Sequence, residues 1–270
     1  MPYADLNGFE IHYDVHGQGD PLVCVHGLAC DRRAWALQIQ PFSEQYKAIF
    51  FDNRDVGQSS LASHEYTTAD MAEDVLGLAD HLELESFHLL GVSLGGMVSQ
   101  HVALAAPERV RSLTLALTHG GVQRAGRLRG HLLGAYARHL PLEDRVDNLL
   151  YLCYTEAFFE SDELYQFMRN ALLTNPYPQP PEAFARQAAA GGSHDLRDRL
   201  HELTMPVHVI GAERDLMIPV WKQRELAALI PGAQLTIIDG QGHGVMWEAA
   251  HDFNTAVTEF LTATVAEAVR

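Results

Sequence analysis

The sequence contains little cysteine, few basic residues and no long hydrophobic run. Its 270 residues include three cysteines, Cys24, Cys30 and Cys153. Such a sparse, odd-numbered set without CxxC spacing argues against a disulfide framework or a cysteine-rich zinc site, and it favours a reducing cytoplasm. No apolar run reaches the ~18 residues of a membrane span, and the first residues lack the charged and apolar regions of a signal peptide. We therefore expect a cytoplasmic protein without a membrane span.

The shortage of basic residues excludes a second class of function. Lys and Arg total 19 against 35 Asp and Glu, which gives a formal net charge of −16. This charge would repel nucleic acid, and no basic run offers a local exception. The 15 histidines are scattered and lack the HxxxH spacing of a helical metal site. We expect no nucleic-acid partner, no metal and no other cofactor, and we assign the histidines outside the motifs below to the solvated surface by default.

The hydrophobic pattern predicts an α/β fold. Short apolar runs alternate with stretches in which hydrophobic residues recur every three or four positions, as on one face of a helix. The predicted strands are 9–15, 21–25, 48–51, 87–90, 110–117, 207–210 and 235–238, and the predicted helices are 68–82, 93–105, 220–229 and 247–265. Buried strands that alternate with helices are typical of a parallel sheet covered on both faces. The first two strands, joined by a glycine-rich turn at 17–20, are expected to form a hairpin at an antiparallel edge.

The segment 118–200 breaks this alternation. It has helical periodicity without a convincing strand, and it includes a proline-rich stretch at 175–181. An insertion after the carboxyl end of a strand lies over the crevice in which open α/β sheets bind ligands. We therefore predict a core domain made of residues 1–117 and 201–270, and a helical cap, or lid, made of residues 118–200.

A candidate nucleophile lies where a predicted strand turns into a helix. The sequence there is Gly91-Val92-Ser93-Leu94-Gly95, a G-x-S-x-G motif. A sharp strand-to-helix turn forces the serine into an unusual backbone conformation, and flanking glycines remove the side chains that would clash. The hydroxyl of Ser93 is then held out at the edge of the sheet, and the alternative is a serine that only caps the helix.

A serine hydroxyl needs a base and an acid that orients the base. His243 lies between glycines just after the predicted strand 235–238, and Asp215 follows the strand 207–210. Because parallel strands end at one edge of the sheet, the three loops should meet, and the order Ser, Asp, His is that of the α/β-hydrolases. Asp239 and Glu213 remain alternatives to Asp215, since the first lies on the strand end that carries His243 and the second shares the loop of Asp215.

The loop after strand 21–25 is the expected second half of an oxyanion hole. Two backbone donors must point at the developing negative charge, and we assign them to Leu94 N–H and Leu28 N–H. Gly27 permits close approach of the backbone, and His26 is expected to brace the loop by a hydrogen bond without transferring protons. Residues expected to line the substrate pocket are Gly27, Trp35, His119 and Trp247.

With these motifs, the chain resembles the α/β-hydrolase superfamily over nearly its whole length. The matching pieces are Val25–Leu28 with Trp35, Asp52–Ser59, Gly96-Met97, Ala106–Val110, Asp215 with Pro219, and Gly242-His243 with Glu248 and Phe253. The chain is most similar to the small capped esterases and the enol-lactonase-like branch. Asp52-Asn53-Arg54-Asp55 also resembles the anthracycline methylesterases; we expect a structural turn there, with a catalytic role for Asp55 as the alternative. Haloalkane dehalogenases and epoxide hydrolases are excluded, because they have an aspartate where this chain has Ser93.

The resemblance implies a cofactor-free serine hydrolase that cleaves a small, moderately apolar carboxylic ester or lactone through an acyl-enzyme. The same triad serves carbon–carbon bond hydrolysis, perhydrolysis and lyase reactions, which stay open. A ligand receptor on the same fold is a further alternative. The sequence does not indicate the oligomeric state.

Overall fold

A computed structural model of the chain describes residues 2–6, 8–122 and 124–268. In this part of the chain an eight-stranded sheet has the order β1-β2-β4-β3-β5-β6-β7-β8. The strands are β1 (Tyr3–Asp5), β2 (Glu10–His16), β3 (Asp20–Val25), β4 (Tyr46–Phe51), β5 (Phe87–Val92), β6 (Val110–Ala116), β7 (Val207–Ala212) and β8 (Gln234–Ile238). Strands β4, β3, β5, β6, β7 and β8 run parallel. The predicted mostly parallel sheet is confirmed, and β1 is a strand that the sequence pattern did not reveal.

The predicted hairpin of the first two strands is wrong. Strand β2 pairs antiparallel with β1 and β4, and β4 lies between β2 and β3. The turn at 17–20 packs against the segment that leads into β4, where a side chain on Gly17 would overlap the carbonyl oxygens of Ser43 and Tyr46. Gly17 and Gly19 both have positive φ, 75° and 105°. The turn therefore carries the chain past the end of β4, and β3 enters the sheet on the far side.

Helices cover both faces of the sheet. They are α1 (Ile39–Ser43), α2 (Thr68–His81), α3 (Leu94–Ala105), α4 (Arg124–His139), α5 (Leu142–Cys153), α6 (Glu156–Phe159), α7 (Asp162–Leu173), α8 (Pro181–Ser193), α9 (Val220–Leu229), α10 (Val245–Glu248) and α11 (Ala250–Ala268). The last predicted helix is two helices, because Ala249 leaves the helical conformation between α10 and α11. No helix in these ranges is both long and apolar enough to cross a bilayer.

Two hydrophobic clusters, one on each face, hold the layers together. Alternate residues of a strand point to opposite faces; accordingly Val23 and Val25 of β3 belong to one cluster, and Leu22 and Cys24 belong to the other. All four side chains are almost completely buried. Burial on both faces explains why the strand reads as an unbroken apolar run, and it keeps the carboxyl end of β3 beside that of β5.

Five helices, α4 to α8, lie between β6 and β7 within the described part of the chain, and Gln123 at their start is outside it. Helices α4 and α8 pack closely because small residues face each other. A side chain added at Gly130 would lie 2.5 Å from Ala188 O, and one at Gly192 would lie 2.8 Å from Gly126 O. The division into a core and a cap at 118–200 stays a prediction.

Many histidines are buried, against the expectation of a solvated surface. Those with less than a tenth of their surface exposed are His12, His26, His88, His119, His194 and His208. Burial disfavours the charged imidazolium and lowers the pKa of both His88 and His208 to about 4. The His88 ring is hydrogen-bonded to Ser112 Oγ (2.7 Å), and the His208 ring is hydrogen-bonded to Thr236 Oγ1 (2.9 Å). The sheet thus uses neutral histidines as polar core residues.

We expect the protein to lose stability steeply as the pH falls below the ordinary histidine pKa of ~6.5. In the unfolded chain these imidazoles take up a proton near that pH, whereas in the folded protein those with a pKa near 4 stay neutral. The unfolded state then binds more protons, so the free energy of unfolding falls with pH by roughly 2 kcal/mol per such histidine at pH 5. Urea unfolding between pH 7.5 and 5 measures this slope. His88→Gln should flatten it and exposed His64→Gln should not; a stability independent of pH would contradict the assignment.

Candidate active site

Ser93 lies at the turn between β5 and α3, with φ 56° and ψ −117°. This backbone conformation is rare for a residue with a side chain, and close packing explains how it persists. A side chain on Gly95 would overlap Val25 O, and one on Gly96 would lie 2.6 Å from the Thr118 side chain. Ser93 N donates a hydrogen bond to Ala116 O (2.9 Å), and Thr118 Oγ1 donates one to Ser93 O (2.8 Å). The neighbouring strands therefore hold the serine in the strained turn.

Asp215 and His243 meet at the ends of β7 and β8. The Oδ1 atom of Asp215 accepts hydrogen bonds from Met217 N (2.7 Å) and Ile218 N (2.8 Å), and Oδ2 lies 2.7 Å from His243 Nδ1. The Asp215 side chain is fully buried, and that of His243 is 11% exposed. Oδ1 already accepts two backbone hydrogen bonds, and Oδ2 is left to accept one from the His243 ring. Nδ1 of His243 is therefore the donor. The lone pair of a neutral imidazole is then on Nε2.

The two alternative acids lie elsewhere. Glu213 is exposed and its Oε2 accepts a hydrogen bond from Gly240 N (2.8 Å). That bond joins the β7 loop to the β8 loop and so supports the backbone of the His243 loop. Asp239 is exposed. Among the described acidic residues, Asp215 is the one whose carboxylate is hydrogen-bonded to the His243 ring.

The loop after β3 reaches Ser93 through Gly27. A side chain on Gly27 would lie 3.0 Å from Ser93 Cβ. Gly27 N donates a hydrogen bond to His26 Nδ1 (2.6 Å), and Asn53 Nδ2 donates one to His26 O (3.0 Å). Burial lowers the pKa of His26 to about 3, so that the ring is neutral and can accept the hydrogen bond that braces the loop. Leu28 follows Gly27 in this loop. Leu94 is the first residue of α3, so the N–H of Leu94 has no carbonyl partner one turn earlier in the helix.

Two cavities meet at Ser93. The apolar cavity has a volume of about 310 Å³ and is lined by Ser93, His243 and hydrophobic residues of α5 and α7, with Gly27, Trp247 and the Asp31–Arg33 ion pair also in its wall. The basic cavity has a volume of about 220 Å³; its wall is mostly hydrophobic, from α4 and α8, and we name it for the two cations Arg129 and Lys222, which line it together with Ser93 and His119. Leu28 and Met217 line both. The serine can therefore act on a bond whose two sides occupy different surroundings.

Trp35 departs from the expected position on a pocket wall. It is completely buried, with its ring edge-on to His26 and tilted against Phe50. It belongs to the hydrophobic core behind the loop after β3.

The unusual acid Asp55 has a structural environment. It is fully buried and receives two hydrogen bonds from Arg186 of α8, at 2.9 and 2.7 Å, and one from Ala62 N at 2.8 Å. Asp52 is likewise buried and accepts hydrogen bonds from Arg32 and from Gln58 N. Both carboxylates are held by these partners, which fits the structural turn predicted for 52–59.

Gln187 is a further residue near the site that the sequence did not reveal. It is completely buried on α8 and lines the basic cavity. Its Nε2 donates a hydrogen bond to Arg54 O (2.9 Å), and its Oε1 accepts one from Ala29 N (3.2 Å). Ala29 follows Leu28 and has φ 62°. Gln187 therefore links α8 to the backbone of the loop after β3, which is proposed to form part of the oxyanion hole. No local sequence pattern predicts these contacts.

We expect Gln187→Leu to leave two part-buried backbone groups, Ala29 N and Arg54 O, without this partner and to loosen this loop. Each unpaired group costs at most about 1–3 kcal/mol of stability, and less where water can replace the partner. The loss of loop order should lower kcat by roughly tenfold, with a smaller change in KM, since oxyanion contacts act in the transition state. Urea unfolding and steady-state kinetics measure the two effects. Gln166→Leu, at an exposed position of α7, is the matched control; equal behaviour of the two variants would exclude this role for Gln187.

The described residues contain no group of three or more His, Cys, Asp or Glu side chains arranged to hold a metal ion. The side chains brought to this edge of the sheet are a serine hydroxyl, an imidazole and a carboxylate. A set of this kind can activate a hydroxyl for attack on a carbonyl group.

The chain is similar in sequence and fold to several known proteins. The chain is 26% identical to the enol-lactonase from Burkholderia xenovorans LB400, and the two structures superpose with a TM-score of 0.88 over 97% of this chain and 100% of that one. The chain is 28% identical to a protein of Azorhizobium caulinodans whose name proposes a carbamate hydrolase, over 96% of this chain and 98% of that protein. It is also 28% identical to the 2-hydroxy-6-oxo-6-phenylhexa-2,4-dienoate hydrolase of Comamonas testosteroni, over 95% of this chain and 93% of that protein.

A family model described as the alpha/beta hydrolase fold matches residues 20–250, which is most of the chain. The resemblance found in the motifs is thereby confirmed at the level of the superfamily, and the relatives support a hydrolytic role. The chain belongs to the alpha/beta hydrolase family.

Proposed function

We propose that the protein is a serine hydrolase of a small, moderately apolar carboxylic ester or lactone. One observation carries this proposal: Ser93 and His243 line the same apolar cavity, and the buried carboxylate of Asp215 lies behind His243, 2.7 Å from its Nδ1. The nucleophile, the base and space for an apolar substrate therefore coincide. The proposed localisation is cytoplasmic, on the cysteine content, and the proposed partner is the small-molecule substrate.

The reaction would follow from the groups present. Ser93 Oγ attacks the carbonyl carbon while His243 Nε2 takes the hydroxyl proton, and Asp215 stabilises the imidazolium. Leu28 N–H and Leu94 N–H would bind the oxyanion. The tetrahedral intermediate collapses as His243 gives its proton to the leaving alcohol. A water molecule, deprotonated by the same imidazole, then attacks the acyl-enzyme and releases the acid.

The proposed cap at 118–200 would set the range of substrates. Its helices supply one wall of each cavity: Leu149, Phe167 and Met168 face the apolar cavity, and Gly130 and Ala188 face the basic cavity. None of these residues belongs to the proposed triad, so changes in them should alter the fit of the substrate more than the chemistry. Gln187 further joins the proposed cap to the loop after β3, and Arg186 joins it to Asp55 in the loop after β4.

Carbon–carbon or carbamate hydrolysis is the second candidate. It is favoured by the relatives whose names give a dienoate hydrolase and propose a carbamate hydrolase. Both reactions place a carbonyl carbon in front of the same groups. They differ from ester hydrolysis in the leaving group, which is a carbanion equivalent or an amine.

A panel of substrates tests the proposal. Purified protein is incubated with p-nitrophenyl esters, methyl esters, lactones, aryl carbamates and β-diketones, and initial rates are compared. We expect turnover of at least one ester or lactone series, with an acyl adduct detectable by intact mass. Turnover confined to carbamates or diketones would move the assignment to the second candidate. Tight binding without turnover of any compound would indicate a receptor.

A further inference from the structure

The basic cavity has a charge that the chain as a whole does not. The protein carries a formal net charge of −16. Even so, the wall of the basic cavity includes Arg129 and Lys222, and none of its described lining residues is Asp or Glu. Ser93 lies on the same wall. A region of positive potential therefore adjoins the nucleophile of an acidic protein, and it would attract an anionic part of a substrate.

Arg129 is the cation of this wall whose charge is not compensated by an ion pair among the described residues. Its guanidinium donates a hydrogen bond to Met217 O, and no carboxylate among the described residues forms an ion pair with it. The nearest interacting acid is Asp215, whose two oxygens are occupied by His243 and by two backbone N–H groups. Partial removal of water lowers the pKa of Arg129, although arginine stays protonated at any physiological pH. The residue is nevertheless exposed, so an anion from solvent can reach its guanidinium, which has no ion-pair partner among the described residues.

The other polar groups of the wall limit the charge of that anion. Lys222 is almost buried, and its Nζ lies 2.6 Å from Glu225 Oε2, so its charge is already compensated. His119 is 2% exposed and its Nδ1 has no hydrogen-bond partner in the described structure. Burial lowers its pKa to about 3, and the ring is a neutral hydrogen-bonding group. The cavity therefore supplies one uncompensated positive charge, which matches a carboxylate better than a doubly charged phosphate.

We propose that the basic cavity is a carboxylate subsite, and that the substrate is an ester or lactone that carries a second, free carboxylate group. The subsite rests on the proposed hydrolase function, because it names the class of substrate for the same serine. The carboxylate would lie against Arg129 Nη and within reach of His119, while the apolar part of the substrate occupies the other cavity. Arg129 would thus determine specificity and take no part in proton transfer.

Two esters of equal chain length test the subsite. Mono-p-nitrophenyl glutarate carries a carboxylate where p-nitrophenyl valerate has a methyl group, and both release the same alcohol. Charge-assisted hydrogen bonds are the stronger kind. We expect Arg129→Gln to lower the ratio of kcat/KM for the anionic ester to that for the neutral ester by about 10- to 100-fold, mainly through KM. Arg129→Lys should restore part of the ratio. Arg127→Gln, at an exposed position of the same helix, should leave it unchanged.

A ratio that Arg129→Gln does not change would overturn the subsite. A fall in rate that is equal for both esters would also overturn it, since that result means that Arg129 only supports the Met217 loop. Hydrolysis of neither ester by the unmodified protein would count against the proposed function instead. The subsite is then decided by calorimetry of monomethyl glutarate binding to Ser93→Ala. Binding that Arg129→Gln abolishes supports the subsite, and binding unaffected by that change refutes it.

Discussion

Asp215→Asn should lower kcat/KM by about 10⁴-fold while the protein stays folded. The carboxylate of Asp215 accepts three hydrogen bonds, two from backbone N–H groups and one from His243 Nδ1. The amide oxygen of asparagine can keep the two backbone bonds. Its NH₂ group then faces His243, where it favours the tautomer with the lone pair on Nδ1. Nε2 carries the proton in that tautomer and cannot accept the one on Ser93.

Two further variants separate this role from a general loss of negative charge. Asp239→Asn and Glu213→Gln each remove one acidic residue near His243, and both positions are exposed. We expect Asp239→Asn to change kcat/KM little, and Glu213→Gln to cost only what the bond to Gly240 N contributes to loop order. If Asp239→Asn were the crippled variant and Asp215→Asn nearly normal, the acid would be misassigned and the loop after β7 would be structural only.

Ser93→Ala should abolish ester hydrolysis, with a loss of roughly 10³-fold or more in kcat. The hydroxyl is the atom that forms the acyl bond, and no other group at this position can replace it. Alanine keeps the Cβ of Ser93, which packs closely against Gly27. The packing of the turn should therefore survive the substitution. Steady-state kinetics with a p-nitrophenyl ester measure the loss, and exposed Ser63→Ala is the control. Near-normal turnover would remove Ser93 from the mechanism.

The same position offers a test of backbone strain. Ser93 has φ 56° with ψ −117°, a region that costs a residue with a side chain about 1–3 kcal/mol. Ser93→Ala retains this cost, whereas Ser93→Gly removes it, since glycine adopts positive φ freely. Glycine also costs roughly 0.5–1 kcal/mol relative to alanine, because it loses more conformational freedom on folding. Thermal unfolding of the two inactive variants therefore shows strain when Ser93→Gly is at least as stable as Ser93→Ala. A glycine variant less stable than the alanine variant by that amount would show that the turn is relaxed.

Much of the candidate site follows from local sequence combined with one rule of topology. Ser93, Asp215 and His243 each come directly after a short apolar run, and parallel strands end at the same edge. The glycines at 91 and 95 predicted a sharp turn. Glycine is needed at 95 because a side chain there would overlap Val25 O. Such features are readable because each depends on residues close together in the chain.

Other features depended on contacts between distant segments. The pattern of 9–15 shows a half-exposed strand, but its partner β4 is chosen by where the turn at 17–20 packs. Trp35 looked like a wall residue, and only the packing of His26 and Phe50 makes it core. The buried histidines could not be told from surface ones, because burial of a polar ring depends on which hydroxyl lies opposite it.

The sequence by itself determined the fold class, the nucleophile motif, its two candidate partners and the position of the helical segment between β6 and β7. Periodicity and strand-end motifs are local properties, and the parallel sheet converts them into proximity. The tertiary structure alone decided which acid lies against His243, that Gln187 holds the loop after β3, and that Arg129 and Lys222 share a cavity with Ser93. These arrangements join residues tens of positions apart, and their energies come from packing and hydrogen bonds that exist only once the helices lie over the sheet.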